Sequence, residues 1–325
     1  MKIAMVSGAN SAHGAMGLHN YELTKAINTL KDKNFKFVNS PKMADLTHYV
    51  GFHPFFISLP FFKPSKKVVL TIHDLHRLVY PNHFPAGIKG NIRFLINKFL
   101  IWKNVDRIIT ISETSKKDIC RFLKINPDKI SVTYLGIKKA YKKLAKGVWE
   151  LEIKKKYSLP NEFVLFQGDV YYNKNIPNLV AACKIAKKTL VIVGKQAKEI
   201  ENMDLNHPEL IHLKGVDFSN VLRLGFVDDD DFNKIYNLAY CYVQPSFYEG
   251  FGLPLLEAYS CGTPLVVSKT QTLVEIMGLK INYVNPNSPE DIAKGILNPN
   301  RNVKLPRVYT WEKTAKETLE VYAKA

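Results

Sequence analysis

The chain has 325 residues, 46% of them hydrophobic, and a formal net charge of +17. That length suits two α/β domains better than one core. No apolar run reaches the ~20 residues that span a bilayer, and the start Met1-Lys2-Ile-Ala-Met-Val6 is too short an apolar stretch for a signal peptide. The charge is lopsided. Residues 1–150 hold 25 Lys and Arg against 9 Asp and Glu, whereas residues 151–325 hold 21 against 20. Such a field draws polyanions to one half of the chain. An anionic membrane surface, a lipid-phosphate acceptor and nucleic acid are the candidate partners, beside the plain reading of solvated lysine faces. Nucleic acid is the weakest, since no zinc-finger, RNP or helix-turn-helix signature accompanies the charge. Cys120, Cys183, Cys241 and Cys261 lack metal or redox spacing and read as small buried residues in a reducing compartment.

In chain order, Lys2–Val6 reads as a strand, followed by a glycine-bearing loop from Gly8 to Gly17 and a helix over Leu18–Leu30. Gly14-Ala-Met-Gly17 is only a partial dinucleotide loop. Short strands follow at Phe35–Val38 and Thr47–Val50. Val68–Ile72 is a buried strand that ends at His73-Asp74. A histidine there can orient a hydroxyl near a reaction centre, or be a satisfied structural residue with Asp74 capping the next turn. The helix Lys89–Asn104 carries Ile92, Leu95, Ile96 and Phe99 on one stripe. Core packing is the first reading of that stripe, and resting on lipid is the second. Arg107–Ile111 is a strand, Ser112 caps a helix over Glu113–Leu123, and Ile130–Tyr134 closes the half.

Lys138–Lys156 is lysine-rich and poorly patterned, which places the domain crossing near residue 150. A second α/β set begins with the strand Phe163–Phe166, the helix Ile176–Lys188 and the strand Leu190–Val193. Arg223–Phe226 reads as a strand. Asp228–Asp231 reads as the acidic cap of the helix Phe232–Ala239 rather than a metal site. Tyr240–Gln244 is a buried strand, Pro254 opens a short helix that stops at Gly262, and Pro264–Ser268 is a strand. Trp311–Tyr322 forms a terminal helix. Alternating strands and helices imply parallel sheets, with ligands at the carboxyl ends of the strands.

The chemistry gathers in Pro245-Ser-Phe-Tyr-Glu249-Gly-Phe-Gly-Leu-Pro254-Leu-Leu-Glu257-Ala-Tyr-Ser-Cys-Gly262. A glycine turn before a helix aims backbone N–H groups and a partial positive charge at one spot, which suits a phosphate. Glu249 and Glu257 would repel that phosphate, so they face the hydroxyls of a ribose or a sugar. Lys174, in Asn173-Lys174-Asn175 beyond a strand end, is placed to neutralise a diphosphate leaving group.

This string resembles the donor-binding signature of the retaining, nucleotide-sugar-dependent group 1, or family four, glycosyltransferases. The resemblance extends to Ile72-His-Asp-Leu75, Asp106–Asp118, Ile130–Gly136, Leu190–Gly194, Leu224–Val227 and Trp311–Ala315. It implies a GT-B fold: two Rossmann-like parallel-sheet domains facing across a cleft. The first would be the acceptor side, residues 1–150 plus the helix 309–325 crossing back, and the second, 151–308, would bind the donor. It implies that Glu249, His73 and Lys174 serve catalysis, His73 from the opposite side of the cleft. Gly250, Phe251, Gly252 and Leu253 would meet the diphosphate, Glu257 the ribose, with Gly17 and Phe226 completing the donor site. No metal and no cofactor beyond the nucleoside diphosphate sugar is implied. Two departures stand out. Asp169 occupies a place where relatives carry Arg, and the first loop lacks their adjacent glycine pair.

The expected function is transfer of a hexosyl group, from a donor of the GDP-mannose or UDP-hexose type, to a hydroxyl of a polysaccharide or lipid-linked acceptor. The expected place is cytoplasmic, at the inner face of a membrane. A nucleotide-sugar epimerase or a glycosidase would also set carboxylates near a sugar. A non-catalytic, basic polyanion-binding protein on the same scaffold is the third reading, and Asp169 is its best support.

Overall fold

The structure, a computed structural model, describes residues 1–7 and 15–325. Most of the glycine loop expected between Gly8 and Gly17, including His13 and Gly14, lies outside the described residues. The chain forms two compact units, Met1–Gly136 with Tyr309–Ala325, and Ile137–Val308. The first crossing therefore precedes residue 150. The lysine-rich stretch is held by the second unit: Lys138 Nζ and Tyr141 OH reach Asp229 at 2.7 and 2.8 Å, and the Leu144 N–H reaches Asn237 at 2.8 Å.

Unit 1 contains strands β1 (Lys2–Val6), β2 (Lys36–Phe37), β3 (Leu46–Val50), β4 (Lys67–Thr71), β5 (Arg107–Thr110) and β6 (Ile130–Val132). They form one sheet in the order β2-β1-β3-β4-β5-β6, with every pairing parallel. Helices cover parallel sheets on both faces, so the central strands are nearly continuous apolar runs. Helices α1 (Ala15–Leu30), α2 (Gly87–Asn104) and α3 (Glu113–Leu123) serve this unit. Ser112 caps α3 as its sequence predicts, its Oγ accepting from the Ser115 N–H at 3.1 Å. The first reading of α2 is corrected. Leu100 and Ile101 take its core side, while Ile92, Leu95 and Phe99 are exposed and Ile96 is half-buried.

Unit 2 contains β7 (Phe163–Gln167), β8 (Thr189–Val193), β9 (Val221–Leu224), β10 (Cys241–Gln244), β11 (Leu265–Ser268) and β12 (Tyr283–Val284), ordered β12-β11-β10-β7-β8-β9 and all parallel. Its helices are α4 (Trp149–Tyr157), α5 (Ile176–Ile185), α6 (Asp229–Leu238), α7 (Leu253–Ser260), α8 (Gln271–Met277) and α9 (Pro289–Leu297). The strand order reverses between β7 and β10, which makes their carboxyl ends the switch point where such sheets bind ligands. The acidic run does cap α6. Asp228 accepts from the Asp231 N–H at 2.9 Å, and the Asp231 carboxylate holds Lys156 and the Tyr157 hydroxyl.

The last helix, α10 (Trp311–Lys324), belongs to unit 1. It buries Trp311, Ala315, Leu319 and Tyr322. The Thr314 hydroxyl donates to the Tyr134 carbonyl at 2.6 Å. Gly136 is where the chain leaves the unit, and a Cβ there would lie 2.0 Å from the Trp311 nitrogen. All four cysteines are free thiols; Cys120 is only half-buried, unlike the other three.

Candidate functional site

The carboxyl ends of β7 and β10 bring two of the expected residues into contact. After β7 the chain runs through Gly168 and Asp169 to a short 3-10 turn, Tyr172–Lys174, closed by Asn175 in the left-handed conformation, φ 59°. Asn175 is fixed there because its side-chain amide donates to the carbonyls of Pro245 and Pro286, at 2.9 and 2.7 Å. Asn173 ties the same turn to the segment after β10. Its carbonyl accepts from the Phe247 N–H at 2.9 Å, and its amide donates to the Tyr248 carbonyl at 3.1 Å.

Lys174 is thereby delivered onto Glu249. Its ammonium lies 2.8 and 2.9 Å from the two carboxylate oxygens. Glu249 is buried, and two more donors meet its Oε1: Gln244 Nε2 and Ser246 Oγ, each at 2.6 Å. The Tyr242 hydroxyl donates in turn to Gln244 Oε1 at 2.6 Å. A buried carboxylate is tolerated only when paired and hydrogen-bonded, and here both conditions hold. The expectation that Lys174 serves a diphosphate acquires a qualification: in this structure its charge is committed to Glu249.

Past Glu249 the backbone turns into α7. Gly252 adopts φ 98°, a left-handed conformation that favours glycine. Its carbonyl accepts from the Leu255 N–H at 3.1 Å, so the helix's own bonding begins there. Among the described residues, no acceptor meets the N–H groups of Gly250, Gly252 or Leu253. Phe251 is buried beneath the turn and Pro254 follows as the second helical residue. The turn is thus a small cradle of amides at a helix start, the arrangement that favours an anion.

Glu257 lies inside α7, facing α6. Burial pushes its carboxyl up to about 7, Lys138 opposes the rise and Asp229 adds to it. The Tyr236 hydroxyl is 3.3 Å from Glu257 Oε2, but it is 2.7 Å from Gln167 Oε1 and 3.2 Å from the Pro254 carbonyl. A hydroxyl has one proton, and the nearest acceptor takes it. Glu257 is therefore a buried acceptor pair with weak internal satisfaction, suited to the hydroxyls of an incoming ligand.

In unit 1, His73 lies just beyond the end of β4. Its Nε2 is 2.8 Å from His19 Nδ1, so one ring donates and the other accepts. Burial pulls His73 down to about 4 and holds His19 well below its ordinary value, which keeps both rings neutral near pH 7. His73 Nδ1 is buried with no partner among the described residues. Asp74 caps the next turn, accepting from the His76 N–H at 3.1 Å. Gly17 lies in the first turn of α1, not in the loop. It lines a depression of about 710 Å³ with Ser7, Asn20, Tyr21 and Thr24. Phe226 lies beyond the end of β9 and is 76% exposed, so its expected place in a strand is corrected. No hydrogen bond, ion pair or ring contact joins it to Lys174 or Glu249; the Lys195 ammonium sits 5.7 Å over its ring.

Two known families match successive stretches of the chain. "Glycosyltransferase Family 4" matches residues 28–140, and "Glycosyl transferases group 1" matches residues 148–309, the part that contains the Lys174–Glu249 pair and the amide cradle. The chain belongs to the group 1 glycosyltransferases. The chain is 28% identical over 246 residues to the serotype-specific mannosyltransferase WbdA of Escherichia coli, which covers 73% of this chain and 30% of WbdA. The chain thus spans less than a third of that relative's length. It is 28% identical over 286 residues to the O-antigen chain mannosyltransferase B of Escherichia coli, covering 81% and 72% of the two chains. Among solved structures, Anabaena HepE in complex with UDP and glucose superposes with a TM-score of 0.65 at 16% identity, over 99% of this chain and 95% of that one. Sucrose-phosphate synthase from Thermosynechococcus elongatus gives 0.64 at 17% identity, with 99% and 95% covered. This group 1 glycosyltransferase has the GT-B fold.

Residue reasoning missed the group that supports the site. Gln244 is the polar last residue of an otherwise apolar strand, with Ser246 two residues beyond it, and that interruption was the available signal. Thr272, whose hydroxyl donates to the Glu249 carbonyl at 2.7 Å, carried none.

Proposed function

We propose that this protein is a retaining, metal-independent hexosyltransferase that uses a nucleoside diphosphate sugar. The observation that carries the reading is the pair of half-buried Lys174 with buried Glu249, set beside an amide cradle at the switch point of the second sheet. Relatives named as mannosyltransferases favour a GDP-mannose type of donor; HepE, solved with UDP and glucose, keeps a UDP-hexose as the second choice. The acceptor is a hydroxyl of a growing glycan or of a lipid-linked sugar, used at the cytoplasmic face of a membrane.

In this reading the amides of Gly250 to Leu253 receive the diphosphate, and Lys174 shares its charge between Glu249 and the leaving group. Glu249 already accepts from three side chains, which blunts it as a nucleophile and suits it to accept from sugar hydroxyls. Glu257 holds the ribose. His73, neutral near pH 7, orients a hydroxyl of the sugar rather than giving up a proton. The bond from the anomeric carbon to the diphosphate oxygen breaks, and the acceptor oxygen bonds to that carbon on the same face. The acceptor proton leaves with the diphosphate. Charge stabilisation by the amides and Lys174 takes the part that a metal ion plays elsewhere.

The test is incubation with GDP-mannose or UDP-hexoses and glycan acceptors, following nucleoside diphosphate release and the anomeric configuration of the product. Release should need an acceptor, survive EDTA, and fall by about 100-fold or more in Glu249→Gln. An inverted product would rule out the retaining assignment. Conversion of donor into another nucleotide sugar without acceptor would make the protein an epimerase instead.

A further inference from the structure

The outward face of α2 has a composition that solvent does not explain. Ile88, Ile92, Leu95, Phe99 and Trp102 follow one another at intervals of four and three residues, the spacing of a single helical stripe. They are 82, 52, 63, 53 and 71% exposed. A surface helix normally turns polar residues to this side and keeps its apolar stripe for the core. Here the core side is separately filled by Gly90, Leu100 and Ile101, so the helix has two apolar faces and one is uncovered.

The loop before β4 extends the same patch. Asn97 and Asn104, on the inner side of α2, pin that loop through the carbonyls of His53, Pro54, Phe56 and Pro60. The pinned loop holds Phe56, Ile57, Phe61 and Phe62 outward, with Phe62 81% exposed. Cations stitch loop to helix. The Lys103 ammonium is 5.7 Å from the Phe62 ring and 5.8 Å from the Phe99 ring, and the Arg93 guanidinium is 5.6 Å from the Phe56 ring. Lys89 and Lys98 flank the same stripe, and no acidic residue occurs between Asp74 and Asp106. An uncovered apolar patch of this extent marks an interaction surface.

We propose that this face of unit 1 docks on an anionic lipid bilayer, with α2 lying in the plane of the interface. Its side chains supply both parts of such binding, apolar groups to enter the acyl boundary and cations to meet the headgroups. Among the described residues no helix is long and apolar enough to cross a membrane, so the contact is peripheral. A second copy of the chain is a poorer occupant, because a two-fold contact would set Lys89, Arg93, Lys98 and Lys103 against their own copies. The inference does not depend on the transferase reading, since lipid binding is measured without any sugar.

The experiment is flotation of the full chain with phosphatidylcholine vesicles, and with the same vesicles carrying phosphatidylglycerol. Binding should favour the anionic vesicles and weaken as salt is raised. Each of Lys89→Gln, Arg93→Gln and Lys98→Gln should weaken it about fivefold, the fold-change equivalent to ~1 kcal/mol per cation. The triple variant Leu95→Ser, Phe99→Ser, Trp102→Ser should abolish it with thermal unfolding unchanged, because all three side chains are exposed. Leu279→Ser, at a still more exposed leucine in unit 2, should leave it intact. Failure to bind the anionic vesicles, or equal binding by the triple variant, overturns the proposal. So does lipid-free self-association in sedimentation that the same triple variant removes.

Discussion

Glu257 shows what one buried group does to the molecule's response to pH. Its carboxyl is raised by burial from an ordinary 4.5 to about 7. A raised acid contributes stability that is fully present below its unfolded value and is lost as pH rises through the folded one. In the ligand-free protein the loss runs from about pH 4.5 to about 7, on the order of 3 kcal/mol. Denaturant unfolding across that window should show the wild type losing stability and Glu257→Gln losing less. Binding runs the other way. If ribose hydroxyls donate to this carboxylate, donor affinity should rise through pH 7 with uptake of a proton by the buffer, which calorimetry in buffers of different ionisation heat will register. The carboxylates themselves were legible in the sequence, because a Glu on either side of a glycine turn is a pattern in one short string. Their partners were not. Gln244 and Ser246 stand in the same short string but declare themselves only once the turn folds back on them, Lys174 meets Glu249 only after β7 and β10 have paired, and Tyr236 meets Glu257 only after α6 packs on α7.

At the scale of elements, the turn into α7 carries the amide cradle, and Gly252 sets its shape. A side chain there would be forced into φ 98°, with its Cβ 3.1 Å from Leu273 Cδ2. Gly252→Ala should cost about 1–3 kcal/mol and also weaken nucleotide-sugar binding, since the amides rotate with the backbone. Gly262→Ala, at the other end of the same helix with φ 74°, should cost a similar amount of stability while leaving affinity alone. Thermal melts paired with ligand titration separate the two outcomes. Long apolar runs made most strands legible: the run at Val68–Ile72 became Lys67–Thr71, shifted by one residue. Shorter or highly charged elements escaped. Trp149–Tyr157 hid among lysines, Gln271–Met277 offers only two turns, and Tyr283–Val284 is a strand of two residues. The stripe on α2 was visible, but a stripe alone does not say whether it faces in or out. The second apolar face, at Leu100 and Ile101, is what decides.

The whole molecule is two sheets with interrupted connectivity. Unit 1 is built from the first and last parts of the sequence, and α10 completes it. Burying Trp311, Ala315, Leu319, Val321 and Tyr322 is worth on the order of 10 kcal/mol before entropy is counted, comparable with the entire stability of a domain. A chain ending at Val308 should therefore lose the unit 1 transition in calorimetry and retain that of unit 2. The near-contact of Gly136 with Trp311 has a further consequence for how the protein is made. The departing and returning segments of polypeptide come close together there, so unit 2 is in effect a closed excursion from unit 1. On the ribosome the first part of unit 1 emerges before unit 2 yet must wait for α10, which is translated after unit 2, while unit 2 has every residue it needs before α10 is made.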